Sequence, residues 1–442
     1  MKMIKKTVLI LVGIYLLCIP ADYIRHSIQS TIDIDRDPYL QMLGSEQVTI
    51  RWQTETALSS LVRYGEDQRN LSQSHDIDAS DVKEHKVTLK NLKPATQYFY
   101  QVIQNAGLSE IYSFYTAPIP GKSVLTHIWV QGDAGIFNDN AKRNYQQAMS
   151  YFEKLRQPNT PLIDLWLTTG DNAYNSGKAS EYQKHLFEPY KSLLSQTSYW
   201  PAFGNHDARR YAYQFQFDTP KNGELGGIAS GEHTYFSFDY ADIHFIFLDS
   251  ERTNFFRYHS MVQWLEDDLK ATSQKWIVVL LHHPPYTKGT HDSDSWYDSS
   301  GRLVNAREVF TPILEKYNVD LVLAGHSHNY ERSNLMRCHY GQSDTFKPEM
   351  HLQTGHDFIK TDETKAGYQG TVFQMIGSTS KTRDNVELNH PAMPYGFKDS
   401  GSVMLKVENN KLTSKFININ GEVKDQFSIT KQGHKLYNES CN

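Results

Sequence analysis

The chain has 442 residues, enough for two or three domains at about 150 residues each. Its 39% hydrophobic and 21% charged residues exclude a disordered, collagen-like or coiled-coil chain. A formal net charge of −5, with no Lys/Arg run beyond two residues, excludes a strong footprint for nucleic acid or anionic membrane, and nineteen His against three Cys points any metal chemistry to imidazole and carboxylate.

Lys2, Lys5 and Lys6 precede an apolar stretch over residues 8–20. A short basic region followed by about 7–15 apolar residues predicts a signal peptide over 1–21 and a secreted or periplasmic protein. The stretch is shorter than the roughly 20 apolar residues of a full membrane span. Ile19-Pro20-Ala21 is a poor cleavage site, which leaves an uncleaved anchor or a buried N-terminal element as alternatives. If Cys18 is removed with the signal, Cys338 and Cys441 remain, either as one bridge or as two free thiols.

Residues 37–118 read as six or seven short strands between polar turns, among them 48–52, 61–65, 86–89, 98–103 and 111–115. No segment there has helical period, so an all-β sandwich is expected. The turn into Tyr98 is of the fibronectin-like kind, and the segment holds no catalytic constellation.

Beyond Pro118-Ile119-Pro120-Gly121 the pattern changes. Strands expected at 127–130, 162–167, 243–248 and 276–281 alternate with helices at 139–156, 180–194, 258–271 and 306–317. A strand at 319–323 follows, and the tail reverts to strands. Such alternation predicts an α/β domain over 124–430.

Metal-capable side chains stand where these strands stop: Asp133 after Gly132, Asp171 after Gly170, Asn205, His206 and Asp207 after Gly204, His282 and His283 after Leu281, and His326 and His328 after Gly325. Open α/β sheets bind ligands beyond the carboxyl ends of their strands, so the clusters should converge. Alone, an Asp-x-Gly or a Gly-Asp-Asn is an ordinary turn or helix cap, and a His beside two prolines is an ordinary loop residue. Two imidazoles at i and i+2 seldom serve packing, and all the clusters in this order imply a shared dinuclear metal site. Two cations about 3.5–4 Å apart need a bridging anion, which Asp171 can supply while Asp133 adds a second charge. Neutral imidazoles and the Asn205 amide fill further positions, and such a pair lowers the pKa of bound water toward about 7.

These blocks resemble the metallophosphoesterase superfamily and, within it, the purple acid phosphatases, whose pattern is Asp-x-Gly, Gly-Asp-x-x-Tyr, Gly-Asn-His-Asp/Glu, Val-x-x-His and Gly-His-x-His. The resemblance covers about residues 37–430 and is most specific at Tyr174. It implies a multidomain chain, a fibronectin-like N-terminal sandwich followed by an αββα metallophosphoesterase domain. It also implies that Asp133, Tyr174 and His328 hold a ferric ion, that Asn205, His282 and His326 hold divalent iron, zinc or manganese, and that Asp171 bridges. His206 would contact the phosphate. The second outer-sphere histidine falls by ungapped count on Asp292. The neighbouring His291 is the candidate, with His283 or another donor as alternatives. Arg209 and Arg210 read as a solvated pair that could reach a leaving group.

The expected activity is hydrolysis of small phosphate monoesters outside the cytoplasm, of acid phosphatase type. A phosphodiesterase or nucleotide hydrolase of the same superfamily is the alternative, and a non-catalytic binding or adhesion protein the remote one.

Overall fold

The structure, a computed structural model, describes residues 35–252, 255–361, 369–433 and 441. The expected signal segment lies outside the described residues. Among those residues no helix is long and apolar enough to cross a membrane.

The N-terminal strands are β1 (Arg36–Gln41), β2 (Gln47–Gly65), β3 (Gln73–Lys90), β4 (Gln97–Gln104), β5 (Gly107–Leu108) and β6 (Tyr112–Tyr115). The stretches 48–52 and 61–65, expected as separate strands, belong to one 19-residue strand. Register shifts between Gln53 and Leu58 and between Leu58 and Ser60 mark irregularities in the middle of it. Its first half pairs with β1, its last residues with β4, and β3 pairs along both. A bulged strand bends and twists, so β2 can serve both halves of the sandwich. Val48, Ile50, Trp52, Val62, Val87, Tyr100 and Phe114 close one core inside it. Hydrogen bonds also anchor this domain to the α/β domain, among them Tyr100 Oη donating to Ser195 O at 2.8 Å and Tyr39 Oη to Gln216 O at 2.9 Å.

The α/β domain contributes β7 (Thr126–Gln131), β8 (Leu165–Thr168), β9 (Tyr199–Pro201), β10 (Phe236–Tyr240), β11 (Ile243–Leu248), β12 (Trp276–Leu281), β13 (Leu321–Ala324) and β14 (Tyr330–Arg332). A two-stranded pair, β15 (Leu335–Met336) with β16 (His351–Gln353), precedes β17 (Asp357–Thr361), β18 (Val372–Ile376), β19 (Tyr395–Phe397), β20 (Gly401–Glu408), β21 (Lys411–Asn418) and β22 (Val423–Gln432). Apart from that pair, they form two seven-stranded sheets, ordered β10-β11-β12-β13-β18-β14-β19 and β17-β22-β21-β20-β7-β8-β9.

The sheets face each other. Ile128, Val130, Leu165 and Leu167 of one share a core with Phe245, Phe247, Val278, Leu280 and Leu323 of the other. Alternate residues point outward under helices. Trp129 and Trp166 pack against Phe152 of α1 (Asp139–Leu155), and Ile246 and Val279 against Leu265 of α2 (Phe255–Ala271). This is the αββα arrangement, and burial on both faces explains why its strands read as continuous apolar runs.

Two expected helices are irregular, and one of them is interrupted. The 180–194 segment divides into Ala179–Tyr182, a π-turn at Gln183–Phe187 and Lys191–Leu194, because Pro189 lacks the N–H that would continue it. The 306–317 segment is the later part of one continuous helical run, made of Arg302–Asn305, a π-turn at Ala306–Phe310 and Thr311–Lys316, with Pro312 just past the π-turn. Cys338 and Cys441 form a disulfide, which decides between the two alternatives left by the sequence.

Candidate metal centre

β7, β8 and β9 run parallel in one sheet, and β12 and β13 run parallel in the other. Each of the sequence blocks begins just beyond one of these five carboxyl ends, so the site straddles both sheets. The turns are tight. Asp133, Asp171 and His326 all adopt left-handed φ, +54°, +54° and +68°, conformations that cost a non-glycine residue free energy and tend to gather at functional sites. Glycine precedes each for differing reasons. Gly170 itself has φ +98°, while a Cβ on Gly132 would stand 1.6 Å from Ile376 O.

One group of donors gathers at Asp133. Its Oδ1 accepts from Tyr174 Oη at 2.8 Å, and Tyr174 Oη is 3.3 Å from His328 Nε2. Its Oδ2 accepts from the backbone N of His326 at 2.8 Å. Burial works to raise the Asp133 pKa, but the hydrogen bond to His328 and the nearby His282 outweigh it and hold the carboxyl low. Burial, followed by Asp133 and Asp171, pushes the Tyr174 phenol well above its ordinary value.

A second group gathers at Asn205, whose Oδ1 is 2.9 Å from His282 Nε2 and 3.1 Å from His326 Nδ1. The two ring nitrogens are 3.2 Å apart. Asp171 links the groups: its Oδ1 is 3.4 Å from His282 Nε2, and Asp133, Asp171 and His282 offer ligand atoms within 4.8 Å of one another.

The donor set fits cations. His282 Nδ1 is 2.8 Å from the Thr169 carbonyl, to which it must donate. A neutral His282 therefore turns a lone pair on the Asn205 carbonyl oxygen, and two acceptors at 2.9 Å need a positive charge between them, a proton or a metal ion. Burial opposes a proton there, yet Asp171 and Asp133 outweigh it and raise the His282 pKa. The same field that favours the proton favours a metal.

His206 lies at the edge of this cluster, Nδ1 2.7 Å from Asn175 O and Nε2 3.7 Å from Asp171 Oδ2. Burial lowers its pKa. His291 stacks on His326 with ring centroids 3.9 Å apart, and its Nδ1 meets Asp298 Oδ1 at 2.8 Å. His283 is buried behind His282, its Nδ1 3.0 Å from Ser250 Oγ. Arg209 is bound through Nη1 to Asn175 O at 2.8 Å, so one half of the expected solvated pair belongs to the rim of the site.

Two neighbours were not singled out from sequence, and a third, Asp207, was named only as part of its block. Asp207 accepts from Gly204 N at 3.0 Å, Asn172 N at 3.0 Å and Tyr182 Oη at 2.5 Å, which ties the Asn205 turn to the Asp171 turn; its place in the Asn-His-Asp block was the available signal. Ser299 Oγ meets His326 Nε2 at 2.6 Å, leaving Nδ1 to face the other donors. Lys381 sets its ammonium 3.6 Å from the Tyr174 ring centroid, and no local pattern marked it.

Residues 36–116 match the family model described as "Purple acid Phosphatase, N-terminal domain", and residues 126–330 match "Calcineurin-like phosphoesterase". The chain carries these two domains in that order and is similar to the purple acid phosphatases. It is 28% identical over 275 residues to acid phosphatase type 7 of Mus musculus, covering 56% of each chain. It is 27% identical over 319 residues to "Probable purple acid phosphatase 20" of Arabidopsis thaliana, covering 66% of this chain and 68% of that one. The aligned part thus spans between about half and two thirds of these relatives' length. A further relative, 24% identical over 79% of this chain and 56% of its own length, is named "Probable inactive purple acid phosphatase 9" of Arabidopsis thaliana. The solved purple acid phosphatase from yellow lupin (Lupinus luteus) seeds shares the fold, with TM-score 0.69 and 18% identity over 90% of this chain and 75% of that one. Similarity to the purple acid phosphatases implies a dinuclear metal centre.

Proposed function

We propose that this chain is an exported acid phosphatase that hydrolyses small phosphate monoesters. In this reading Asp133, Tyr174 and His328 hold a ferric ion, Asn205, His282 and His326 hold divalent iron, zinc or manganese, and Asp171 bridges them. When bound, the two ions neutralise phosphoryl charge and activate water at modest pH. His206 orients and steadies the phosphoryl group: its Nδ1 is committed to Asn175 O, which leaves Nε2 to face the ester. His291, held by Asp298, is the second such donor. In the net reaction water adds to phosphorus, the ester P–O bond breaks and the alcohol leaves with a proton.

The observation that carries this reading is the pair of donor groups that share Asp171. Export is supported by the N-terminal pattern and by the Cys338–Cys441 bridge. The fibronectin-like unit over 37–118 acts as a support and the 124–430 unit as the catalyst, with no nucleic-acid partner and no membrane contact beyond the signal. The test is metal analysis and a visible spectrum on purified protein, with hydrolysis of a monoester compared against a bis-ester. Faster bis-ester cleavage would favour the phosphodiesterase reading. Two bound metals without turnover of any phosphate ester would favour a non-catalytic protein, as one relative's name suggests for that relative.

A further inference from the structure

Among the described residues with large apolar side chains, Trp296 and Tyr297 are the most open to water, at 58% and 95%. Two adjacent exposed aromatic rings make a contiguous apolar patch of the kind found at binding surfaces. They belong to the loop that reaches into the metal centre. Asp298, next in the chain, meets His291 at 2.8 Å, and Ser299 meets His326 at 2.6 Å. Tyr297 is two residues from Ser299, so about 7 Å is the greatest separation of their Cα atoms.

The loop is held in place. Ser299, Ser300 and Gly301 have φ of +47°, +55° and +78°, which turns the chain back on itself. One part of the Trp296 indole then lies on Gly301, where an added Cβ would meet ring carbons at 3.0 Å. Arg302 anchors the end of the turn through Glu251 at 2.8 Å and the Ser299 carbonyl at 2.7 Å. An indole packed at one side and open at the other, beside a freely exposed phenol, is a stacking platform. Stacking on it needs a planar π-face, which every nucleobase supplies.

We propose that Trp296 and Tyr297 form the subsite for the alcohol part of the substrate, and that the preferred esters carry a planar aromatic group, as nucleoside monophosphates do. The proposal rests on the phosphatase reading of the metal centre. The phosphoryl group occupies that centre, and the aromatic group reaches back over the 296–297 pair.

The metal-loaded full chain is assayed with adenosine 5′-monophosphate and with ribose 5-phosphate. Both release phosphate from a primary alcohol, so the ratio of their kcat/KM values isolates the base. The expected ratio is about tenfold or more in favour of the nucleotide, given base–aromatic stacking of about 1–3 kcal/mol. Trp296→Ala and Tyr297→Ala each lower the ratio several-fold, and Tyr297→Phe, which keeps the ring, restores it. A ratio near one in the unmodified chain, or one that survives both alanine variants, overturns the proposal. If neither ester turns over, the phosphatase reading fails separately, and calorimetric titration with the two esters still reads the subsite. Tighter nucleotide binding that Trp296→Ala weakens then supports it, and equal binding of the two esters overturns it.

Discussion

Tyr174 Oη donates to Asp133 Oδ1 across 2.8 Å, although 41 positions separate the two residues in the chain. Each leaves the end of a neighbouring parallel strand, β8 and β7, and the strand pairing supplies the closeness. A phenol held against two carboxylates keeps its proton, its pKa raised by burial, Asp133 and Asp171, until a cation displaces it. On the proposed assignment the iron-loaded protein is coloured and Tyr174→Phe bleaches it. Visible absorption before and after iron loading checks this. A colourless wild type that holds two non-ferric metals would remove Tyr174 from the ligand set.

Asp171→Asn should nearly abolish turnover and lower the content of both metals. The amide keeps the shape but carries no charge to offset cation repulsion. Elemental analysis alongside a phosphate-release assay measures both effects, and near-normal occupancy with activity would refute the bridging role.

Replacing His206 with alanine should leave both metals bound while kcat falls by roughly 10²–10⁴. Its side chain touches Asn175 O and approaches Asp171 only at 3.7 Å, so the scaffold does not depend on it. Loss of a metal in His206→Ala would instead make it a ligand.

Away from the site, His244 is held between Asp239 at 2.7 Å and Asp268 at 2.8 Å. Burial alone would lower its pKa, but the two hydrogen-bonded carboxylates outweigh burial and hold it up to about 9. The folded state therefore binds the extra proton between about 6.5 and about 9. Its contribution is complete below about pH 6.5 and is lost as pH rises through about 9. The stake is about 3 kcal/mol. The wild-type urea midpoint should fall across this window, and His244→Gln should be less stable at about pH 6 but lack that slope. A wild-type midpoint that rises over the window would contradict the sign.

Much of the site was legible because ligand chemistry restricts residue type. One such block is an ordinary turn or loop, but Asp133, Asp171, Asn205, His282, His326 and His328 stood out together, as a series of Asp, Asn and His blocks each following an apolar run. The apolar runs themselves disclosed strands buried on both faces, and with them the α/β class. The π-turns were harder to see, since helical periodicity survives one, and only the interruption before Lys191 carries a local mark, Pro189.

Tertiary structure alone decided which donors face one another. Strand order sets β7 beside β8 and β12 beside β13, and no local pattern encodes that neighbourhood. The same holds for Lys381 over Tyr174, Ser299 against His326 and the bridge from Cys338 to Cys441, all contacts between segments distant in the chain. Residue identity determines what a side chain can bind, and that much is written locally. What it meets depends on long-range sheet pairing and packing, which are settled only when the whole core forms.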